Sequence, residues 1–509
     1  MEAWRDTIII SSIGVYMVLC VGVGLWAMRR TKTVRDFFVA GRDLGILVTG
    51  IAMFSSTMSG FGFVGGPGLV YALGMASVWI VITSAVGYAI SDFLLGKRLR
   101  LFAGLRDSVS LPDAVVARYG DETSGLLTAI AILLGIMGYL ATQILAMATV
   151  LQTVLQNTGW WPGITLVTCV IISVSVLLFY SVTGGIVASV YTDLVQGSIM
   201  IVAGVLIFLT TLTVMDGGAT GAMNVLMQDD PEGMGPWGTI GLVGCMSWYF
   251  MFSVGSVGQP HIVTKAMMVR NIRNYRYMPV VTVIGYSLTA LLWISIGLIM
   301  RALVVSGQHP ELAAPDAAAA EFLGNYAHPL LAGVVFAGLF AAIMSTADAF
   351  LNIGAAALVH DIPGSLRRRA GKPAIPDSLE KQRRELFQAR LGTVFLAGIA
   401  AAFALYSFYV NDRLVALLGA FGWGTFGAAL VPAVAIGLNW KRATPLAANT
   451  AIVFSLVVNF GIEVFNVRIP GGVHGGTVAL LGALLLFFGI SLASKPQPID
   501  PEIEAIMDI

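Results

Sequence analysis

Thirteen apolar stretches of roughly 20 residues or more, the length a helix needs to span a bilayer, are parted by short charged or Gly/Pro-rich breaks in this 509-residue chain. No water-soluble domain can hide that many. Only 11% of the residues are charged against 57% in the AVILMFWYC set, and the mean hydropathy is +0.85. Soluble domains are about 25% charged, so the chain reads as an all-α integral membrane protein. Soluble enzymes are excluded on the same ground. The near-balance of 29 Lys+Arg and 28 Asp+Glu leaves no basic field for nucleic acid.

The expected helices run from Thr7 to Met28, Ile46 to Leu73, Ala76 to Gly96, Ser124 to Leu155, Gly163 to Val182 and Ile186 to Met215. The others are Trp237 to Ala266, Met278 to Leu303, Leu330 to Val359, Leu391 to Val410, Leu414 to Leu438, Leu446 to Phe465 and Thr477 to Ala493. Positive charge gathers on the cytoplasmic side of membrane proteins. With the N-terminus outside and the C-terminus in the cytoplasm, only Arg5, Arg301, Arg413 and Arg468 of the 29 basic residues fall outside. That asymmetry supports an odd number of crossings in a cell membrane, with the lipid bilayer as the surrounding partner.

Two spans are interrupted by residues that a buried helix avoids. The second carries GFGFVGGPG from Gly60 to Gly68, and the seventh GSVGQP from Gly255 to Pro260. Unwound backbone at membrane depth survives only inside protein or beside a wet cavity. The interruptions stand five spans apart, so helices 2–6 and 7–11 read as two five-helix halves, each opening with a broken helix. This is the pattern of an inverted-repeat transporter with its site near mid-membrane. The expected organisation is a leading helix and loop at 1–44, a first repeat at 45–215 and an external loop at 216–236. A second repeat follows at 237–438, with two trailing helices and a short tail at 439–509.

Gly60–Gly65 also matches GxGxxG, but no strand precedes it, which argues against a dinucleotide site. The five histidines show no paired metal spacing. Intramembrane acids are more telling, since each costs roughly 3 kcal/mol on insertion scales. Asp193 falls inside helix 6 and Asp348 inside helix 9, whereas Asp92 and Glu463 lie near span ends, within reach of interfacial water. Ser345, Asp348 and Asn352 share one helical face. Hydroxyl, carboxylate and carbonyl oxygens without thiolate or imidazole suit a hard cation.

Several stretches together resemble the sodium:solute symporter family of proline and pantothenate permeases and sodium/glucose cotransporters. They are Phe38 to Leu44 (FVAGRDL), Tyr180 to Gly185 (YSVTGG) continuing through Tyr191, Thr192, Asp193 and Gln196, Gly258 to His261 (GQPH), Met344 to Thr346, and Trp423 to Pro432. The resemblance runs in order from about Phe37 to Arg442. It implies a leucine-transporter-type 5+5 inverted repeat with one leading and two trailing helices. It also implies a principal sodium site formed by the carbonyls of Ser55, Met58 and Ala342 and the hydroxyls of Ser345 and Thr346.

Proline permeases carry Asp where Thr57 stands, and Trp and Tyr where Phe252 and Ser256 stand, so proline does not fit well. The Gly65–Gly68 run looks more like pantothenate-type permeases and points to a carboxylate-bearing organic solute: an amino acid, a monocarboxylate or a pantothenate-like acid. Its expected pocket is Ser59, Gly60, Gln143, Phe252 and Ser256, with Trp423 and Phe426. Where relatives with a second sodium generally place serine, this chain has Asp348. Asp193 and Asp348, brought close in low dielectric, cannot both stay ionised without a cation between them; otherwise one holds a proton. The expected activity is secondary active, sodium-coupled symport by alternating access, with no catalysis. The alternatives are a proton-coupled symporter of the same fold and a non-transporting membrane sensor.

Overall fold

The computed structural model describes residues 4–28, 44–372, 378–411 and 415–509, and leaves out a few side chains within helices, Tyr180 and those of 183–188 among them. Among the described residues there is no β-strand, only an isolated bridge between Leu44 and Val269. Among the described residues, ten helices are long and apolar enough to cross a membrane. Their outer faces carry large bare apolar side chains, including Phe93 (81% exposed), Leu485 (74%) and Val195 (60%). Surface of that kind is stable against lipid tails and not against water.

The helices are α1 (Arg5–Met28), α2 (Ile46–Ser55), α3 (Gly66–Leu73), α4 (Val78–Ser91), α5 (Lys97–Leu105), α6 (Leu111–Tyr119) and α7 (Glu122–Asn157). Next come α8 (Leu166–Thr211), α9 (Gly218–Asp229), α10 (Gly241–Val254), α11 (Pro260–Ala266), α12 (Met278–Val305) and α13 (Ala318–Asn325). The chain ends with α14 (Pro329–Ala356), α15 (Ile362–Arg369), α16 (Leu379–Asn411), α17 (Val415–Leu430), α18 (Pro445–Val464), α19 (Gly475–Ala493) and α20 (Pro501–Met507). α14 lies at the centre, buried on nearly every face. Its run of Ala, Gly and Ser lets neighbouring backbones approach closely, which is how helices associate without a hydrophobic drive.

The charged ends sort to two faces. On one, Arg106 meets Asp500, Arg368 meets Glu122, Lys441 meets Glu504 and Asp508, and Arg118 reaches the α17–α18 connection. On the other, Arg5 donates to the carbonyls of Gly324 and Ala327, and Arg301 pairs with Asp230.

α8 differs from the two separate spans expected at Gly163–Val182 and Ile186–Met215, because it is one continuous helical element of 46 residues. Drawn straight it would be about 69 Å long, at about 1.5 Å per residue, far more than a bilayer core of roughly 30 Å. Its first end is held by Gln152 and Gln156 at the carbonyl of Ile164, beside Asn157, which bonds Glu321 on the Arg5 face. Its far end leads through α9 to the Arg301–Asp230 pair on that same face. Between them, Tyr191 meets Trp26 at the far end of α1. The segments of both expected spans fall within this one element, with no loop between them.

The first interruption also shifts. The chain unwinds at 56–59, ahead of the glycine run, and Phe61–Gly65 is a wide helical turn leading into α3. Pro67 sits in the first turn of α3, where its missing N–H breaks no bond. Gly66 and Gly68 serve close packing instead, because a Cβ there would collide with Trp293 and Asp316. Asp92, expected to reach interfacial water, is buried and accepts from Thr282 Oγ1 (2.9 Å) and Tyr275 Oη (3.2 Å).

Arg118 is buried and donates to the carbonyls of Gly437 (2.8 Å), Trp440 (3.1 Å), Lys441 (3.4 Å) and Ala443 (3.5 Å). A helix end leaves such carbonyls without partners of its own. Arg118→Ala should therefore lower stability by roughly 2–3 kcal/mol, read as a reduced thermal midpoint in detergent. An unchanged midpoint would show that water caps these groups equally well.

Candidate functional site

The two interrupted helices meet at the centre of the bundle. At the first, Gly60 N–H donates to Gln143 Oε1 on α7 (2.8 Å), and Phe61 N–H to Ser59 Oγ (3.2 Å). At the second, α10 tightens into a 3₁₀ turn at Gly255–Gly258, Gln259 is extended (φ −76°, ψ 109°), and α11 restarts at Pro260. Gln259 Nε2 spans this break, donating to the carbonyls of Gly255 (2.9 Å) and Trp423 (3.1 Å).

α14 runs beside the first break. Thr346 Oγ1 lies 2.8 Å from the carbonyl oxygen of Ser56 and 3.0 Å from that of Ala342, with its single proton shared between them. No backbone amide among the described residues donates to the carbonyl of Ser55 or Met58. Ser55 Oγ is buried without a partner. Thr346 thus ties α14 to the unwound segment, and its hydroxyl keeps its lone pairs free.

Asp193 and Asp348 are both fully buried but are not alike. Asp193 Oδ2 accepts from Lys265 Nζ at 2.7 Å, and its other oxygen accepts from Ser345 Oγ. The same ammonium donates to the carbonyl of Ala52 (2.8 Å) and to Ser56 Oγ. Asp348 has neither oxygen hydrogen-bonded, although the Ser181 and Ser189 hydroxyls flank it, likewise unbonded. Lys265 was not singled out in the sequence, where it reads as the first of four basic residues opening a loop.

Three of the expected pocket residues, Phe252, Trp423 and Phe426, belong to a cluster of packed aromatic rings. Phe252 stacks on Phe61 (ring centroids 5.9 Å apart) and on Trp423 (5.6 Å). Phe426 stacks on Phe350 (5.8 Å), which also meets Tyr139 (4.9 Å) and His261 (4.5 Å). Ser59 Oγ lies 3.3 Å from Tyr139 Oη, and Ser256 Oγ turns back to the carbonyl of Phe252. Three polar groups in this cluster lack partners although buried: both ring nitrogens of His261, Trp423 Nε1 and Gln259 Oε1. Sequence reasoning did not single out His261, Gln259, Phe61, Tyr139 and Phe350 as part of this cluster. A narrow cavity of about 20 Å³, room for roughly one water, touches His261, Thr264 and Lys265 and runs to Ser110 and Asp361 on the basic face.

A family model described as the sodium:solute symporter family matches residues 37–453. The osmoregulated proline transporter OpuE of Bacillus subtilis (strain 168) is 26% identical over 455 residues, 87% of this chain and 86% of that protein. A sodium/proline symporter of Staphylococcus aureus (strain JH9) is 26% identical over 466 residues, covering 89% and 85%. Among solved structures, a Na+-coupled sialic acid symporter in a substrate-bound outward-open state superposes with a TM-score of 0.75 at 19% identity, over 97% of this chain and 99% of that one. MhsT in complex with L-phenylalanine gives 0.50 at 12%, over 88% and 98%. The fold is thus of the leucine-transporter type. The Phe38–Asp43 part of the first motif lies outside the described residues, and Leu44 is held by backbone bonds to Met268 and Arg270.

Proposed function

We propose that this chain, which belongs to the sodium:solute symporter family, couples entry of sodium to uptake of a small carboxylate-bearing organic solute by alternating access. It is a multi-pass membrane transporter and not an enzyme. The observation that carries the reading is the meeting of two unwound helices beside neutral hydroxyls. The Ser55 and Met58 carbonyls receive no backbone amide among the described residues, and Thr346 of α14 bonds the Ser56 carbonyl between them. An uncharged ligand set binds sodium modestly and releases it when the inner side opens. Each coupled charge gains about 2.3 kcal/mol per 100 mV, roughly fiftyfold accumulation per charge at that potential.

The solute sits between the breaks, against Phe252, Trp423 and Phe426, near Ser59, Gly60, Gln143 and Ser256. Apolar walls with a few unsatisfied polar groups are usual for small-molecule sites. His261 and the Trp423 indole supply donors suited to a carboxylate, and the aromatic rings suit a compact apolar body. Asp348 with Ser181 and Ser189 is the place for a second cation, sodium or proton. The full topology is thirteen crossings with the N-terminus outside, divided at 45–215 and 237–438 into two inverted repeats.

A thermal-stability screen of the purified protein against amino acids, monocarboxylates, vitamins and sugars, in sodium and in choline, tests this reading. A ligand present at 100 times its Kd stabilises by about 2.7 kcal/mol. At least one carboxylate should raise the midpoint in sodium and not in choline; equal stabilisation in both would end the claim of sodium coupling.

Gln143→Ala removes the acceptor for the Gly60 amide and should weaken solute binding about tenfold, since an unsatisfied buried N–H costs about 1–3 kcal/mol. Wild-type affinity in a folded variant would take Gln143 out of the pocket.

A further inference from the structure

Lys265 stands where a basic residue has no ordinary reason to be. Its side chain is 2% exposed, in the middle of the bundle rather than in the loop that its sequence neighbours form. An ammonium in so dry a place is tolerated only when its charge is matched and its protons are bonded. Both conditions hold: its three N–H groups meet three oxygens, the Ala52 carbonyl, Ser56 Oγ and the Asp193 carboxylate. Those oxygens come from α2 and α8, while Ser345 on α14 donates to the other Asp193 oxygen. Carbonyl, hydroxyl and carboxylate oxygens are also what a hard monovalent cation takes. The cage adjoins the sodium site, since Ser56 offers its hydroxyl to Lys265 and its carbonyl to Thr346.

We propose that the Lys265 ammonium is a tethered cation occupying a hard-cation site, separate from both the principal sodium site and the Asp348 position, formed by Asp193, Ser56 and the Ala52 carbonyl. The inference rests on the reading of the chain as a sodium-coupled symporter. Sodium and the ammonium carry the same charge and satisfy the same oxygens, but the ammonium is covalently held and cannot leave with the solute. Lys265 thereby keeps one sodium out of the transport stoichiometry and leaves Asp193 charge-balanced at every stage in which the pair stays closed. Lys265 also ties the second half of one broken helix to the first half of the other, so the cation is held at the junction that alternating access must open.

The test counts sodium. In Lys265→Met the cage keeps its oxygens and its negative charge but loses its cation. Saturation binding of ²²Na+ to the purified protein should rise by one ion per chain relative to wild type. In the double variant Lys265→Met with Asp193→Asn, the count should return to the wild-type value. An unchanged count in folded Lys265→Met would overturn the proposal. Failure of Lys265→Met to fold even in molar sodium would overturn it too, because free sodium then cannot stand in for the ammonium. Thermal midpoints in sodium and choline supply a second readout: sodium should stabilise Lys265→Met more than wild type, and equal stabilisation counts against the proposal. The wild-type count is read separately. A wild type that binds no sodium defeats the sodium-coupled reading, while the difference between variant and wild type still decides the role of Lys265.

Discussion

Replacing Ser345 and Thr346 together by alanine should abolish the stimulation of solute uptake by sodium in proteoliposomes. Thr346 Oγ1 shares one proton between the carbonyls of Ser56 and Ala342, and Ser345 Oγ gives its proton to Asp193. In both cases the lone pairs remain for a cation. The Ser55 and Met58 carbonyls, on the segment that Thr346 bonds at Ser56, receive no backbone amide among the described residues. Bonds to a charged partner contribute about 1.5–3 kcal/mol each. Losing two ligands should then cost roughly 3–6 kcal/mol, and at about 1.4 kcal/mol per factor of ten sodium affinity falls at least a hundredfold. The alanines also remove the Thr346 bond that holds the unwound segment, so Thr346→Ser, which keeps the hydroxyl, separates ligation from folding. It should retain most of the sodium response. Full sodium stimulation in the double alanine variant would remove both residues from the cation site.

Most of the architecture is legible in the sequence because a lipid-embedded helix is a one-dimensional signal: its length and hydropathy are fixed by the bilayer. The basic residues Arg106, Arg118, Arg368 and Lys441, which the charge asymmetry groups together, pair with acids or cap carbonyls near one another in the chain's connections. Breaks are harder to place, since glycine serves two ends that a sequence cannot separate. Gly66 and Gly68 let Trp293 and Asp316 pack closely, while the unwinding falls just before them. The candidate cation residues were visible because Ser345 and Asp348 share a helical face with Asn352. Lys265 was not visible, because whether a Lys followed by three arginines lies in a loop or in the bundle depends on where α11 docks. The same holds for the aromatic cluster, whose Phe, Tyr and Trp rings come from five different helical regions and acquire meaning only when stacked.

Neutralising Asp348 by Asn should lower apparent sodium affinity and flatten the dependence of uptake on pH. Lys265 already balances Asp193, so the two acids do not compete for one counter-charge. Asp348 keeps a fully buried carboxylate with two unbonded oxygens, flanked by the unbonded hydroxyls of Ser181 and Ser189. An ionised carboxylate in such a setting demands a cation, and a neutral one holds a proton. Where sodium is the occupant, acidification at sub-saturating sodium displaces it, so uptake falls as pH is lowered. A unit charge about 4 Å away is worth about 4 kcal/mol at an effective dielectric of 20. Removing it should therefore weaken sodium binding at that position by more than tenfold, with the principal site still responding at higher concentration. Where a proton is the occupant, Asp348→Asn imitates the protonated state: sodium dependence stays and only the pH dependence disappears. Asp348→Ser restores a hydroxyl without the charge, and should keep sodium-driven uptake with a flat pH profile in either case. Sodium and pH responses in Asp348→Asn that both match wild type would leave Asp348 a structural residue, with Ser181 and Ser189 packing around a carboxyl that never changes its partner.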